Sequence, residues 1–248
     1  MKILIVYGGG NIFGSLSYNL NNKLNKAHKT EIWNEKIDVS ALKILRYRIR
    51  KFGFLRGISQ FIYKLIDYYF LRNNLRKKIE KKLPDFKKRF CKGLNERRTL
   101  EMLKENDFDL VIAIATSILK EECLSIPKYG FINIHPGILP QYRGIGNFWA
   151  LHNKDFRNIG CTMHWMTKDI DKGEIISKVF INPENKSIWD INYESMLIGT
   201  NEIAKAINEG SIHKPYQSEN GIEKYYSWNG IFEYITYLRI RFFNKDGF

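Results

Sequence analysis

The sequence is short of cysteine, of long apolar runs and, in one segment, of acidic residues. Its 248 residues include three cysteines, Cys91, Cys123 and Cys161, whose wide spacing and odd number match neither a disulfide framework nor a zinc site. No apolar run is long enough to span a bilayer. The first apolar stretch ends at Gly8, which is typical of an opening strand rather than of a signal peptide. These absences favour a reducing compartment, and we expect a cytoplasmic location.

The shortage of acidic residues is confined to residues 41–98. The chain carries a net charge of +14, and this segment holds 19 Lys or Arg against 4 Asp or Glu, so the remainder is close to neutral. Apolar residues recur at helical spacing through 41–82 with basic residues between them, which predicts helices with a solvated basic face. The alternatives are a groove for a diphosphate-bearing substrate, weak contact with a membrane surface, and RNA contact.

Elsewhere the pattern alternates strands and helices, which is typical of an α/β fold. Strands are predicted at 1–7, 31–33, 108–115, 131–135, 161–165 and, in an aromatic stretch, 224–228. Helices are predicted at 12–27, 97–106, 147–152, 188–210 and 231–243. We therefore predict a Rossmann-like, mostly parallel sheet with helices on both faces in residues 1–185. A helix and a small aromatic extension would follow in residues 186–248.

Residues 131–144 contain the polar side chains on which the functional interpretation depends. An apolar run leads into Pro136 and Gly137, which predicts a buried strand that ends in a loop. Asn133 and His135 are two residues apart, so they project from the same face of that strand. They lie at its carboxyl end, where open α/β sheets bind ligands. An amide donor beside an imidazole suits an oxygen that gains negative charge in a reaction.

The chain resembles the folate-dependent formyltransferase family in three blocks that keep the family's order and spacing. The family signature is Asn-x-His-Pro, then Leu-Pro-x-x-(Arg/Lys)-Gly, then a His and an Asp-Gly loop. The matching blocks here are Asn133-Ile-His135-Pro136, Leu139-Pro-Gln-Tyr-Arg143-Gly144, and His164 followed by Asp169-Ile-Asp171-Lys-Gly173. Within the family, the chain looks most like the enzymes that formylate nucleotide-linked amino sugars. Its carboxyl-terminal segment is too short for the RNA-binding domain of methionyl-tRNA formyltransferases.

The resemblance implies that Asn133, His135 and Asp171 are catalytic and that N10-formyl-tetrahydrofolate is the cosubstrate. The amide and the imidazolium would donate to the formyl oxygen, and Asp171 would keep His135 charged. Asp169 competes with Asp171 for that role, while His164 would support the site. No metal is expected, because the family needs none and these residues lack a ligand spacing.

The resemblance also implies which residues contact the two substrates. The loop after strand 108–115 would turn its backbone toward the pterin ring, although Lys120 stands where the family commonly has Pro. The expected folate contacts are Ile118, Leu119, Met166, Thr167, Lys168 and Asp169. The Gly8–Asn11 turn departs from Gly-x-Gly-x-x-Gly, so a nicotinamide cofactor is not favoured. The expected acceptor contacts are Gly9, Gly10, Asn11, Arg143 and Tyr225.

The favoured acceptor is a nucleotide-diphosphate amino-dideoxysugar, such as dTDP-4-amino-4,6-dideoxyglucose, for O-antigen (lipopolysaccharide) or another surface polysaccharide. Phosphoribosylglycinamide is the second candidate and methionyl-tRNA the third. The resemblance implies a homodimer through the carboxyl-terminal extension, and no nucleic-acid partner is expected. An alternative from another class is a basic module that binds membranes or RNA and has a vestigial active site.

Overall fold

The computed structural model describes residues 1–24, 26–36, 40–212 and 222–243. The strands in these residues are β1 (Lys2–Tyr7), β2 (Lys29–Glu35), β3 (Arg89–Cys91), β4 (Leu110–Ile114), β5 (Phe131–His135), β6 (Arg143–Gly144), β7 (Gly160–Trp165), β8 (Ile175–Phe180) and β9 (Tyr225–Tyr226). The helices are α1 (Asn11–Lys23), α2 (Ala41–Phe52), α3 (Phe54–Ile66), α4 (Asn73–Glu80), α5 (Arg97–Asn106), α6 (Glu121–Leu124), α7 (Gly146–His152), α8 (Ile188–Asn208) and α9 (Ile231–Phe243). A π-helical turn spans Asp67–Leu71, and a 3-10 turn spans Phe156–Asn158.

The larger sheet has seven strands in the order β3-β2-β1-β4-β5-β7-β8. Strands β1 to β5 are parallel, whereas β7 and β8 are antiparallel to their neighbours. Alternate residues of β1 enter two apolar layers: Ile3 and Ile5 pack with α1 and α8, while Leu4 packs with α5 and Trp33. A sheet with helices on both faces is the predicted α/β fold class, which is therefore confirmed.

The order in which successive strands are added to the sheet reverses between β1 and β4, which are parallel neighbours. Strands β2 and β3 lie on one side of β1, and β4 and β5 lie on the other. At this switch point the Gly8 N–H donates to the Ile114 carbonyl at 3.1 Å. A Cβ on Gly8 would lie 2.5 Å from the Ala115 oxygen, so the close approach of the two strand ends requires glycine. Open α/β sheets place their ligand crevice at such a point.

The basic segment is helical, as predicted, and it divides into separate helices. Gly53, at φ 86°, separates α2 from α3, and the π-helical turn separates α3 from α4. Helix α4 packs on the first helix through Leu75 and Ile79, which contact Ile12. Gly57 lets α3 cross α2 closely, since a Cβ there would lie 2.6 Å from the Ile49 nitrogen. The segment is thus integrated into the molecule.

The carboxyl-terminal extension contacts the active-site side of the molecule. Helix α9 begins and ends at the predicted residues, whereas the predicted strand shortens to β9, which pairs in parallel with β6. Tyr237 of α9 packs with Phe148 of α7 and Ile191 of α8. The predicted extension also includes 213–221 and 244–248, which lie outside the described residues. The division of the chain at 185 and 186 stays a prediction.

Two strands of the large sheet were not predicted from the sequence. Strand β3 has three residues, of which only Cys91 is buried, so it has no apolar alternation to detect. Strand β8 is an edge strand whose residues are mostly half-buried, and half-buried edges have weak periodicity. Strand β3 forms by pairing with β2, which lies in a distant part of the chain, whereas β8 pairs with the preceding strand β7.

Candidate active site

Asn133 and His135 lie on β5, at the carboxyl end of the strand, as predicted. Strand β7 runs antiparallel beside it and places His164 directly opposite Asn133. His135 is 3% exposed and His164 is 2% exposed. The pairing of β7 with β8 shifts register at His164, and such bulges commonly re-aim side chains next to active sites. Tertiary pairing therefore brings a second imidazole into the site.

His164 orients the side chain of Asn133. Burial, together with the neighbouring His135, lowers the pKa of His164 to about 4, so this ring is neutral at pH 7. Its Nδ1 donates to the Trp165 carbonyl at 2.8 Å. Its Nε2 can therefore accept from Asn133 Nδ2, at 3.2 Å. The amide keeps a second N–H, and this one remains for a ligand.

Asp171 lies between the two imidazoles. Its Oδ2 is 3.6 Å from His135 Nδ1, and its Oδ1 is 3.7 Å from His164 Nε2. Both separations are longer than hydrogen bonds. Oδ2 also accepts from the Gly144 N–H at 2.8 Å. The structure places Asp171 beside the imidazoles, while Asp169 is exposed to solvent.

The loop that carries Asp171 is held by Arg143. The Nε of Arg143 donates to the Ile170 carbonyl at 3.0 Å, and Nη2 donates to the same oxygen. Its Nη1 lies 3.5 Å from Glu223 Oε2. Asp171 itself has φ 52°, a left-handed conformation that costs an aspartate little. The guanidinium is thus occupied by protein contacts, and substrate binding by Arg143 stays a prediction.

His135 has one ring nitrogen committed to the protein. Its Nε2 donates to the Tyr142 carbonyl at 2.9 Å. The other nitrogen, Nδ1, faces Asp171. Nδ1 is therefore the nitrogen of His135 that can exchange a proton with a substrate.

A cavity of about 460 Å³ opens beside these groups. Its lining includes Asn133, His135, His164 and Asp171, together with the predicted contacts Ile118, Leu119, Met166, Thr167, Lys168, Asp169 and Tyr225. The lining does not include Gly9, Gly10, Asn11 or Arg143. The amide of Asn11 instead donates to Glu80 Oε1 at 3.0 Å. The glycine turn is not part of this lining, and substrate binding by Gly9, Gly10 and Asn11 stays a prediction.

The loop at 116–120 is held by two residues that the sequence interpretation missed. The carboxylate of Glu35 is 3% exposed and accepts from the Ser117 N–H, the Ser117 hydroxyl and the Leu94 N–H at 2.6–2.8 Å. Asn95 donates to the Ile118 carbonyl and accepts from the Lys120 N–H, both at 2.8 Å. Glu35 ends strand β2, so the strand-end rule that identified Asn133 would also have identified it.

Aromatic side chains from four helices and from the carboxyl-terminal extension form an aromatic wall of the cavity. Phe13, Tyr63, Phe148, Trp189 and Trp228 are all in the lining. Burial raises the pKa of the Tyr63 hydroxyl. It also raises the pKa of Asp67, whose Oδ1 accepts from Trp189 Nε1 at 2.5 Å.

One polar group of this wall has only a poorly aligned contact with its neighbour. Asn229 is 2% exposed and lines the cavity. Its amide lies near the Tyr63 hydroxyl and partly offsets the rise in that hydroxyl's pKa. Its Nδ2 nevertheless makes no well-formed hydrogen bond within the described part of the chain. Because a buried donor without a partner is costly, Asn229 is positioned to bind a ligand oxygen.

The fold and this site together define a Rossmann-like α/β protein with an acid–base centre at the carboxyl ends of its strands. Residues 66–187, about half of the chain, match the family model described as Formyl transferase. This segment contains Asn133, His135 and Asp171. It belongs to the formyl transferase family, which confirms the resemblance seen in the motifs.

Curated relatives match parts of the chain. It is 31% identical over 182 residues to the bifunctional polymyxin resistance protein ArnA of Wigglesworthia glossinidia brevipalpis, covering 66% of this chain and 27% of that protein. It is 34% identical over 131 residues to methionyl-tRNA formyltransferase of Clostridium tetani, covering 50% of this chain and 42% of the relative. The chain therefore spans less than half the length of these relatives.

Solved structures with the same fold cover nearly the whole chain. A sugar N-formyltransferase from Shewanella sp FDAARGOS_354 has a TM-score of 0.58 at 16% identity, covering 97% of this chain and 87% of that one. Phosphoribosylglycinamide formyltransferase from Anaplasma phagocytophilum has 0.56 at 16%, covering 92% and 99%. An N-formyltransferase from Helicobacter canadensis, in complex with folinic acid and dTDP-3-aminofucose, has 0.53 at 18%, covering 92% and 71%. These likenesses establish the fold.

The described residues contain no group of three His, Cys, Asp or Glu that could hold a metal ion. In the same residues, every helix is too short or too polar to cross a membrane. The three cysteines are buried and unpaired.

Proposed function

We propose that the protein transfers a formyl group from N10-formyl-tetrahydrofolate to the amine of a nucleotide-diphosphate amino-dideoxysugar, such as dTDP-4-amino-4,6-dideoxyglucose. The product would serve O-antigen or another surface polysaccharide, in the cytoplasm. The observation that carries the proposal is the meeting of Asn133, His135 and Asp171 at one cavity inside a formyl transferase domain.

In the proposed mechanism, the acceptor amine attacks the formyl carbon and the carbonyl oxygen becomes an alkoxide. The free N–H of Asn133 and a proton on His135 Nδ1 would donate to that oxygen. One such donor lowers the barrier by about 3 kcal/mol. His164, being neutral, holds the amide without adding a competing charge.

The remaining step is a proton transfer. As the new C–N bond forms, the amine nitrogen must lose a proton, and the folate nitrogen that leaves must gain one. Asp171 faces His135 Nδ1 and is held by the Gly144 N–H, so it can accept the first proton and return it to the leaving nitrogen. The alkoxide then collapses and the bond to the folate nitrogen breaks.

The two ends of the cavity support a division of the substrates. The loop at 116–120, fixed by Glu35 and Asn95, would hold the folate. The aromatic wall suits an acceptor with an apolar face, such as a deoxysugar or a base. Asn229 would donate to an acceptor oxygen, and Asp67 Oδ2 would accept from a hydroxyl. The complex of the Helicobacter canadensis protein with folinic acid and dTDP-3-aminofucose supports this choice of substrates.

An acceptor screen tests the proposal. The purified protein would receive N10-formyl-tetrahydrofolate with dTDP-, UDP- or GDP-linked amino sugars, phosphoribosylglycinamide or methionyl-tRNA, and formylated products would be measured by mass spectrometry. We expect turnover with a nucleotide-linked amino sugar. Faster turnover with either of the other acceptors would replace this substrate with one used by a relative.

Asn229→Ala tests the assignment of the acceptor end. Because the change removes a donor from the acceptor wall only, we expect the KM for the amino sugar to rise about tenfold, as for one lost hydrogen bond. The KM for the formyl donor should not change. Equal increases in both KM values would contradict the division of the cavity.

The partner proposals rest on exposed residues of the extension and of the basic segment. Phe232 of α9 is 70% exposed and Ile235 is 41% exposed, which supports a homodimer through the extension. Sedimentation of Phe232→Glu should then show monomers. We also propose that residues 41–98 contact a membrane surface. The orientation of α3 indicates which residues of this segment would make that contact.

A further inference from the structure

Helix α3 has its polar and apolar sides reversed. Its buried residues are Gly57, Ser59, Gln60 and Tyr63. Its exposed residues include Leu55, at 80%, Ile62, at 43%, and Leu65, at 42%. A surface helix ordinarily buries its apolar stripe, because exposed apolar area costs about 25 cal/mol per Å². The reversal therefore indicates that another surface covers this side of the helix.

Specific hydrogen bonds fix the orientation of α3. Gln60 Nε2 donates to the Trp228 carbonyl at 2.7 Å. The Ser59 hydroxyl accepts from the Ile231 N–H at 3.0 Å. Arg48, which is 4% exposed, donates to the Gln60 carbonyl at 2.6 Å. These contacts attach the polar side of α3 to α2 and to the carboxyl-terminal extension, so the helix cannot rotate to bury its leucines.

The exposed apolar residues continue into the π-helical turn. Leu55, Ile62 and Leu65 follow one another at helical spacing along one side of α3. Phe54 is 65% exposed at the corner after Gly53, and Tyr69 is 61% and Phe70 72% exposed in the turn. We define the α3 face as Phe54, Leu55, Ile62, Leu65, Tyr69 and Phe70.

Positive charge surrounds the α3 face. Residues 41–72 include eight Lys or Arg and a single acidic residue, Asp67. Asp67 points inward and accepts from Trp189. Arg46, Arg50 and Lys51 are exposed on the same helical hairpin, and so is Arg56, which lies 3.9 Å from the carboxylate of Glu233 in α9. Any partner of this face must therefore be apolar at its centre and negatively charged around it.

We propose that the α3 face docks on the surface of a bilayer that contains anionic lipids. Aromatic and aliphatic side chains that protrude among Lys and Arg are typical of helices that lie in the lipid interface. A second copy of the chain fits poorly, since a symmetric contact would bring the same basic hairpins together. RNA would satisfy the charge and leave Leu55, Ile62 and Leu65 in water.

The opposite side of the same helix forms part of the cavity wall. Tyr63 and Asp67 line the cavity, while the α3 face points away from the protein. Because a helix with its side chains is about 10 Å thick, docking would hold the cavity within roughly that distance of the lipid. Docking of the α3 face on lipid does not require that the protein transfer a formyl group.

Vesicle sedimentation of the intact protein tests the docking. The probes are vesicles of phosphatidylcholine, alone and with about 30 mol% phosphatidylglycerol, at about 0.1 M salt, where surface charges still attract. We expect binding to the anionic vesicles only. Leu55→Glu/Ile62→Glu/Leu65→Glu should lower the partition coefficient at least tenfold. The control Phe90→Glu/Phe180→Glu, at positions 55% and 54% exposed elsewhere, should leave it unchanged.

A charge-matched pair separates local from general attraction. Arg46→Gln/Arg50→Gln/Lys51→Gln removes three charges from the hairpin, and Lys23→Gln/Lys104→Gln/Lys205→Gln removes three exposed charges elsewhere. We expect the first to weaken vesicle binding at least tenfold and the second less than threefold. Equal losses would show that net charge alone is responsible, which would overturn the proposal.

A fluorescent label tests insertion directly. The three native cysteines are buried, so Leu55→Cys can be labelled selectively with an environment-sensitive dye. Emission should shift to the blue on anionic vesicles, and the label on a Phe180→Cys control should not shift. Three results would overturn the proposal: no vesicle binding, no shift at residue 55, or a change from dimer to monomer in the triple glutamate variant.

Discussion

Two regions of the molecule differ in which side chains they bury. One is formed by the adjoining ends of β5 and β7, and the other is the helical hairpin of α2 and α3. At the strand ends, His135 and His164 are buried and Asn133 is half-buried, and all three are bonded to one another or to backbone carbonyls. On the hairpin, polar Ser59 and Gln60 are buried while leucines lie in solvent. In the first region, polar groups are bonded within the chain except where they face the cavity. In the second region, apolar side chains remain exposed unless an external surface covers them.

The comparison shows that a residue pattern identifies an element more readily than the side it buries. A strand end that is paired on both sides has one possible orientation, because the sheet register is set by its buried residues. An amphipathic helix can dock by either side if hydrogen bonds on the polar side outweigh the exposed apolar area. The following substitutions test that difference, beginning with the largest expected effect.

Asp171→Asn tests the site at the adjoining ends of β5 and β7. We expect turnover to fall a hundredfold or more, because the amide cannot accept the amine proton or attract a proton on His135 Nδ1. Binding of the formyl donor should survive. Glu174→Gln is the matched control, since that carboxylate is exposed and three residues away. Steady-state kinetics of both variants decide the matter, and equal losses would reject the role of Asp171.

A pair of truncations compares buried with exposed apolar residues. Ile203 of α8 is 1% exposed and packs on the sheet, so Ile203→Ala should lower the free energy of unfolding by about 2–5 kcal/mol. Leu65→Ala on the α3 face should lower it by less than about 0.5 kcal/mol. Urea unfolding of the two variants measures both. A large loss at Leu65 would mean that this face is covered within the molecule.

Glu35→Gln tests how the folate loop is held. The glutamine would keep one acceptor and direct its NH₂ group at a neighbouring donor, so part of the triple contact with Ser117 and Leu94 is lost. We expect the KM for the formyl donor to rise about tenfold, with little change in the KM for the acceptor. Glu202→Gln, at an exposed position of α8, is the control. An unchanged KM would show that the loop keeps its shape without the carboxylate.

The smallest effect concerns pH. The pKa of His164 is lowered to about 4 in the folded protein, below its unfolded value of about 6.5. As the pH falls below 6.5, the unfolded chain binds a proton that the folded protein does not, so stability decreases toward pH 4. The slope from this residue is at most about 1.4 kcal/mol per pH unit. Urea unfolding between pH 7 and 5 should show a smaller slope in His164→Gln than in the control His152→Gln.

Much of the fold was predictable because its strands are strongly apolar. Strand β4 is entirely buried, and the pattern of residues 108–115 predicts it without any knowledge of its neighbours. Strand β3 was missed because its residues become strand only by pairing with a distant strand, and β8 was missed because its half-buried edge residues show no clear alternation. The helices of the basic segment were predicted, yet neither their separation at Gly53 nor the reversed orientation of α3 was.

The predicted site was incomplete for a similar reason. Asn133 and His135 are close in sequence, so strand geometry alone brings them together. The glycine turn was included from the resemblance, and its role in binding stays a prediction, while Asn11 is bonded to Glu80 of α4. Glu35, Asn95 and Asn229 come from three distant parts of the chain. Their roles depend on contacts between elements that are distant in sequence, and a local residue pattern does not predict such contacts.

By itself, the sequence determined the strongly apolar strands of the sheet, the family and the pair of polar side chains at the end of β5, because these follow from local apolar runs and short spacings. Only the tertiary structure decided that His164 holds the amide, that Arg143 holds the Asp171 loop, and that α3 turns its leucines to solvent. Each of these depends on hydrogen bonds between groups far apart in the chain, and such bonds form only after the elements have packed.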